Sequence, residues 1–146
     1  MTRQTNFVPT HAEVKRRAAN LRERRRITGR QIGHSQAIER IAHALGYRDW
    51  NTLSAIISTV RAKVGIPESD SISGEYLGKP FRATLRKIGQ TDNGNARLVL
   101  RFDEPVGVAA FDGFSAERKQ IDCVVDATGH SAERTSDGRP HVALDW

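Results

Sequence analysis

Residues 34–60 read HSQAIERIAHALGYRDWNTLSAIISTV, and the centre of that stretch decides the fold. Ile38, Ile41, Ala42 and Leu45 stand at i, i+3, i+4 and i+7, so one helix buries a single face. Ser35, after Gly33-His34, is its expected N-cap. Gly46 supplies the left-handed residue that ends it. Three residues later Asp49 is placed to cap another helix, whose apolar positions are Trp50, Leu53, Ile56, Ile57 and Val60. That helix fades by Lys63, before Gly65-Ile66-Pro67. Two short helices joined so tightly must pack on each other, which gives a helix-turn-helix-like pair.

A third helix lies upstream. Thr10-His11-Ala12-Glu13 has the spacing of a capping box, and Pro9 and Val14 sit where a hydrophobic staple would lie. Val14, Ala18 and Leu21 form only a narrow apolar stripe, so this helix needs a neighbour to be stable. At 100° per residue, Lys15, Arg22 and Arg26 line one flank and Arg17 and Arg24 the other. Thr28-Gly29 ends it. Residues 1–66 hold 13 Lys/Arg against four Asp/Glu, a balance of +9, whereas residues 67–146 balance at −3. So dense a run of cations suits a polyanion, because neutralised phosphates release condensed counterions. It equally suits a solvated face that keeps the chain dissolved.

Beyond Pro67 the pattern changes. Glu68-Ser69-Asp70-Ser71 reads as a linker. Ile72–Leu77, Phe81–Ile88, Ala96–Phe102, Val106–Phe111, Ile121–Val125 and His141–Leu144 mix apolar and polar residues in near alternation, as half-buried strands do. Asn93-Gly94 is the pair favoured in type I′ hairpins. Pro105 interrupts the strand run, and Phe111 and Phe114 flank Asp112-Gly113 in an expected loop, tucked under the sheet. The predicted class is therefore α+β: a basic three-helix, helix-turn-helix-like module over 1–66, then a small antiparallel β-barrel over 67–146.

The chain has 146 residues and one cysteine, Cys123, which excludes an internal disulfide framework and a Cys-rich zinc site. No apolar run approaches the ~20 residues that cross a bilayer, and no apolar signal core follows Met1. A cytoplasmic protein without membrane contact is expected.

The string Ile38-Glu39-Arg40-Ile41-Ala42-His43-Ala44-Leu45-Gly46-Tyr47-Arg48-Asp49-Trp50 resembles the helix-turn-helix of AraC-type regulators. That resemblance implies a second helix that reads a DNA groove, presenting Arg48, Asn51, Thr52, Ala55, Ser58 and Thr59. A longer resemblance rests on His34-Ser35-Gln36-Ala37-x-Glu39-x-Ile41-Ala42 and Leu45-Gly46-Tyr47-x-Asp49-Trp50-Asn51-x-Leu53. Downstream it continues through Tyr76-Leu77-Gly78-x-Pro80-Phe81, Phe102-Asp103-Glu104-Pro105-Val106 and Thr135-Ser136-Asp137-Gly138-Arg139-Pro140-His141. Over about 34–146 these residues are similar to a module of bacterial proteins labelled glyoxalase superfamily, which in some relatives precedes a true glyoxalase-like domain. The glyoxalase fold pairs two β-α-β-β-β units around a divalent metal held by His and Glu. The part after residue 67 is too short for two such units, and the five histidines show no ligand spacing such as His-x-x-x-His.

Other catalytic readings fail as well. Cys123 lies in an alternating strand, as a buried structural thiol does. No phosphate loop with its Lys and no Gly-x-Ser-x-Gly is present. Adjacent on a strand, Asp103 and Glu104 are expected to point to opposite faces, so no shared acid–base role is expected of them. His34 reads as a hydrogen-bonding residue at a helix start, and Trp50 as packing. Neither an enzyme nor a cofactor or metal is expected.

The expected function is non-enzymatic nucleic-acid binding, DNA in preference to RNA, of a regulatory or plasmid-linked kind. Lys15, Arg16, Arg17, Arg22, Arg24, Arg25, Arg26 and Arg30 would hold phosphates, and Arg48, Asn51 and Thr52 would face the groove. With its net −3, the β part suits a protein partner or a second copy of the chain. The alternative is an interaction adaptor whose basic helix docks on an acidic protein surface.

Overall fold

Thr10 opens the first helix as its spacing predicts: its hydroxyl accepts from the Glu13 amide at 3.2 Å. The computed structural model describes residues 7–66, 70–111, 114–134 and 138–145, with the backbone alone over 108–111 and 114–118. A two-residue strand, β1 (Val8–Pro9), leads into α1 (His11–Ile27), followed by α2 (His34–Ala44) and α3 (Trp50–Val64). Then come β2 (Ser71–Tyr76), β3 (Lys79–Gln90), β4 (Ala96–Phe111), β5 (Phe114–Val125) and β6 (Val142–Leu144).

The turn that decides the fold is built as read. Gly46 takes φ +92°, the Tyr47 amide donates to the Ala42 carbonyl at 3.0 Å, and Asp49 accepts from the Thr52 amide at 2.8 Å. The start of α2 differs by two residues from the expected Ser35 cap, because its N-cap is Gly33 and no side chain caps it. Half of the capping box on α1 also differs. The Thr10 amide donates to the Arg86 carbonyl of β3, which frees the Glu13 carboxylate for other partners.

The sheet is antiparallel throughout, in the order β5-β4-β3-β2-β6, with β1 joined to β3 beyond the end of β2. It curls into a half-barrel instead of the closed barrel the strand count suggested. Two features keep it open. The β4–β5 register shifts between Arg101 and Val106, where Pro105 has no N–H to offer the ladder. At the other edge β6 is only three residues long, so β5 and the β6 side meet through isolated bridges, Val125 with Ser131 and His130 with Ala143.

Other expectations shift in detail. Asn93 does not have the positive φ a type I′ turn requires; only Gly94 does, at +82°, and its amide donates to the Thr91 carbonyl. The type I′ geometry falls instead on Leu77-Gly78, both with positive φ, between β2 and β3. Of the expected linker, Glu68 and Ser69 lie outside the described part. Asp70 is already tied down, accepting from the Leu85 amide at 2.7 Å and pairing with Arg61 at 2.7 Å. The side chains of Phe111 and Phe114, and Asp112-Gly113 between them, also lie outside it.

One hydrophobic core serves helices and sheet together. Val14 of α1 and Leu53 and Ile57 of α3 are buried with Leu85 and Ile88 of β3 and Leu98 and Leu100 of β4. A smaller cluster of Ala18, Ala37 and Ile38 lies between α1 and α2, where the alanines allow a close approach. No helix among the described residues is long and apolar enough to cross a membrane.

Candidate nucleic-acid interface

Because α1 turns Val14 and Ala18 inward, its cations are left at the surface. Lys15, Arg22, Arg24 and Arg26 are exposed, as is Arg30 in the turn after the helix, while Arg25 is half-buried. Glu23 is the carboxylate among them, and it accepts from the Arg26 Nε at 3.1 Å. Arg24, Arg25 and Arg26 form the last turn, where they also suit the negative end of the helix dipole.

Arg16 and Arg17 have a different setting. Both bind Glu13, whose side chain is only 4% exposed: Arg16 through Nε at 2.9 Å and Nη2 at 2.8 Å, and Arg17 through Nε at 2.9 Å. Arg86 of β3 approaches the same carboxylate at 3.7 Å. Burial pushes the Glu13 carboxyl up, but the hydrogen bonds from Arg16 and Arg17 and the nearby positive charges outweigh it and hold it below its ordinary value. One buried anion thus orients two guanidinium groups, attracts a third and leaves their charge in excess.

The excess continues onto the sheet. A β-bulge between Leu85 and Lys87 breaks the alternation of β3, so Arg86 and Lys87 are consecutive and both half-exposed. Arg97 and Arg101 of β4 lie beside them, with Arg101 in register with Thr84. Lys87 Nζ and Arg97 Cζ each stand 4.1 Å from the centre of the Phe7 ring, within cation–π range. Arg97 also pairs with Asp122 at 2.7 Å. Burial lowers the Lys87 ammonium, and repulsion from Arg17 and Arg97 lowers it further. Arg86 is lowered in the same way, by burial and then by Arg16, Arg101 and Arg17 against the pull of Glu13. Sequence reading missed Arg86, Lys87, Arg97 and Arg101 because it averaged them into a segment of net −3. The available signal was the Arg86-Lys87 pair, which interrupts a strand pattern.

The third group stands apart, at the head of α3. Arg48 and Asn51 are exposed and Thr52 is half-buried. Arg48 reaches Asp49 at 3.5 Å, and the Asp49 carboxylate caps the helix. The inner face of α3 is committed to the core through Leu53, Ile57 and Val60, which leaves Asn51, Ala55, Ser58 and Thr59 exposed. Trp50 packs against the core and meets the His11 ring edge-on at 5.7 Å.

The family described as glyoxalase superfamily protein matches residues 3–146. The chain belongs to that family. The match reaches past the part from residue 34 onward that carried the resemblance, and so includes α1. No curated protein and no solved structure matches the chain. Among the described residues no three His, Cys, Asp or Glu side chains group as metal ligands, and β2 to β6 follow one another with no helix between them. Burial pushes the thiol of the half-buried Cys123 up to about 12, which disfavours the thiolate form a nucleophile needs. A cleft of about 720 Å³ lies over the sheet, but its lining mixes Lys79 and Arg82 with Asp103, Glu104 and Asp145, so no one ligand charge is favoured.

Proposed function

We propose that this family member is a non-enzymatic nucleic-acid-binding protein that takes hold of the phosphate backbone through α1. The observation that carries this reading is the exposed array Lys15, Arg22, Arg24, Arg26 and Arg30, interrupted only by Glu23. Such an array attracts a polyanion because each phosphate it neutralises releases counterions. Duplex DNA is favoured over RNA: the outer face of α3 offers Asn51, Ser58 and Thr59, groups that hydrogen-bond base edges in a major groove. With Arg48 before its first turn and Lys63 in its last as its exposed cations, α3 adds little affinity of its own.

The test is fluorescence anisotropy with labelled duplex DNA, single-stranded DNA and RNA across a salt series. Binding should weaken steeply with salt, and changing Arg22, Arg24 and Arg26 together to Ala should lower the log–log slope by about 0.9 for each lost contact. A triple variant that kept both affinity and slope would remove α1 from the interface. No binding of any strand type at low salt would favour an acidic protein surface as the partner of α1. Ile27, 72% exposed at the end of the cationic run, suits that second reading.

A further inference from the structure

The junction between α1 and the sheet carries a second set of cations, and it differs from the tip of α1 in kind. Cations at the tip stand on long, solvated side chains, with one carboxylate to organise them. At the junction Arg16 and Arg17 are fixed on the buried Glu13 by hydrogen bonds of 2.8–2.9 Å, and Arg86 stands over the same carboxylate at 3.7 Å. Lys87 and Arg97 are in turn seated on the Phe7 ring. Arg101 completes the group from the neighbouring strand, in register with Thr84. Six cations therefore gather around two carboxylates, Glu13 and Asp122, one of them buried.

We propose that Arg16, Arg17, Arg86, Lys87 and Arg101 form a preorganised site for backbone phosphates of duplex DNA, so that the bound strand runs from α1 onto the β3–β4 face. This rests on the nucleic-acid reading above and adds a place and a chemistry to it. A guanidinium can meet two phosphate oxygens at once, and one whose orientation is already set by a buried anion loses less freedom on binding. The bulge at Arg86 is what brings two consecutive cations onto this surface. The site ends where the sheet turns acidic, at Asp103 and Glu104 of β4.

Glu13→Gln separates this proposal from simple charge attraction. It makes the protein one unit more positive, so undirected attraction predicts binding as tight or tighter. A preorganised site predicts about fivefold or more weakening, because Arg16, Arg17 and Arg86 lose their anchor. Duplex binding should be measured by anisotropy at one fixed ionic strength, with folding checked by circular dichroism. The surface triple Arg86→Gln, Lys87→Gln and Arg101→Gln supplies a second test that leaves the buried anchor in place. It should cost about tenfold in affinity and lower the salt slope by roughly two to three, at about 0.9 per contact.

A folded Glu13→Gln protein that binds as tightly as wild type overturns the site. So does a surface triple with unchanged slope while the Arg22, Arg24, Arg26 triple loses its own, and in that case the nucleic-acid reading stands. Wild-type protein that fails to bind duplex DNA at low salt overturns both.

Discussion

Glu13 shows how one side chain serves stability and surface charge together. Its carboxylate is buried, yet three guanidinium groups compensate it, two by direct hydrogen bonds. Removing the negative charge and one of its two acceptor oxygens leaves Arg16, Arg17 and Arg86 repelling one another, so Glu13→Gln should cost about 1–3 kcal/mol at neutral pH, the range for a lost charged hydrogen-bond partner. The pH dependence follows from the direction of the shift. The folded carboxyl is held below its ordinary value, so its stabilisation is complete above the unfolded pKa of about 4.3 and is lost as pH falls through the lower folded value. Urea unfolding of wild type and Glu13→Gln from pH 7 down to pH 3 should show the gap between them closing in acid. A gap independent of pH would mean that shape, not charge, sets the cost. Cys123 makes the opposite case. With its thiol pushed up to about 12 by partial burial, it should resist iodoacetamide in the native protein at pH 8 and react once the chain is unfolded, whereas rapid native labelling would contradict that shift.

At the scale of elements, the short strand β6 depends on a glycine opposite it. A Cβ built on Gly74 would lie 2.3 Å from the Ala143 carbonyl oxygen and 2.9 Å from the Leu144 Cα, and both atoms are backbone that cannot turn aside. Gly74→Ala should therefore push β6 off β2 and destabilise the fold by about 1–3 kcal/mol, the usual cost of overpacking. The melting temperature would report it, and an unchanged value would show that β6 contributes little. Which elements were legible in the sequence follows the same logic. Thr10, Gly46, Asp49 and Gly65 mark helix ends by chemistry local to a few residues, so α1 and α3 begin and end almost where their caps say. The openness of the sheet was not legible, because closure depends on whether a three-residue strand reaches a partner far along the chain. Nor was the far half of the β4–β5 hairpin: Ser115–Gln120 carries charges in place of alternation, and only pairing with β4 makes it a strand.

For the molecule as a whole, linear charge bookkeeping and spatial charge placement disagree, and placement decides the interface. The sequence divides into a +9 part and a −3 part, yet β3 and β4 set four cations beside α1 and extend its surface. Residues on α1 and at the head of α3 were legible as candidates because their helical spacing is local. Arg86, Lys87, Arg97 and Arg101 were not, since they converge through strand register and one bulge. The same convergence governs stability. Leu53 and Ile57 of α3 are fully buried in one cluster with Leu85 and Ile88 of β3 and Leu98 and Leu100 of β4, so the helices cover a face the sheet could not leave in water. Leu53→Ala, a change on a helix, should then cost about 2–5 kcal/mol and reduce hydrogen-exchange protection at the Leu85 and Leu98 amides of the sheet to the same extent as in α3. Protection lost in α3 while those sheet amides stayed slow would mean that helices and sheet unfold separately, and that the phosphate surface spanning them is joined by contact alone. Equal losses would mean that the interface between α1 and the sheet is as durable as the fold itself.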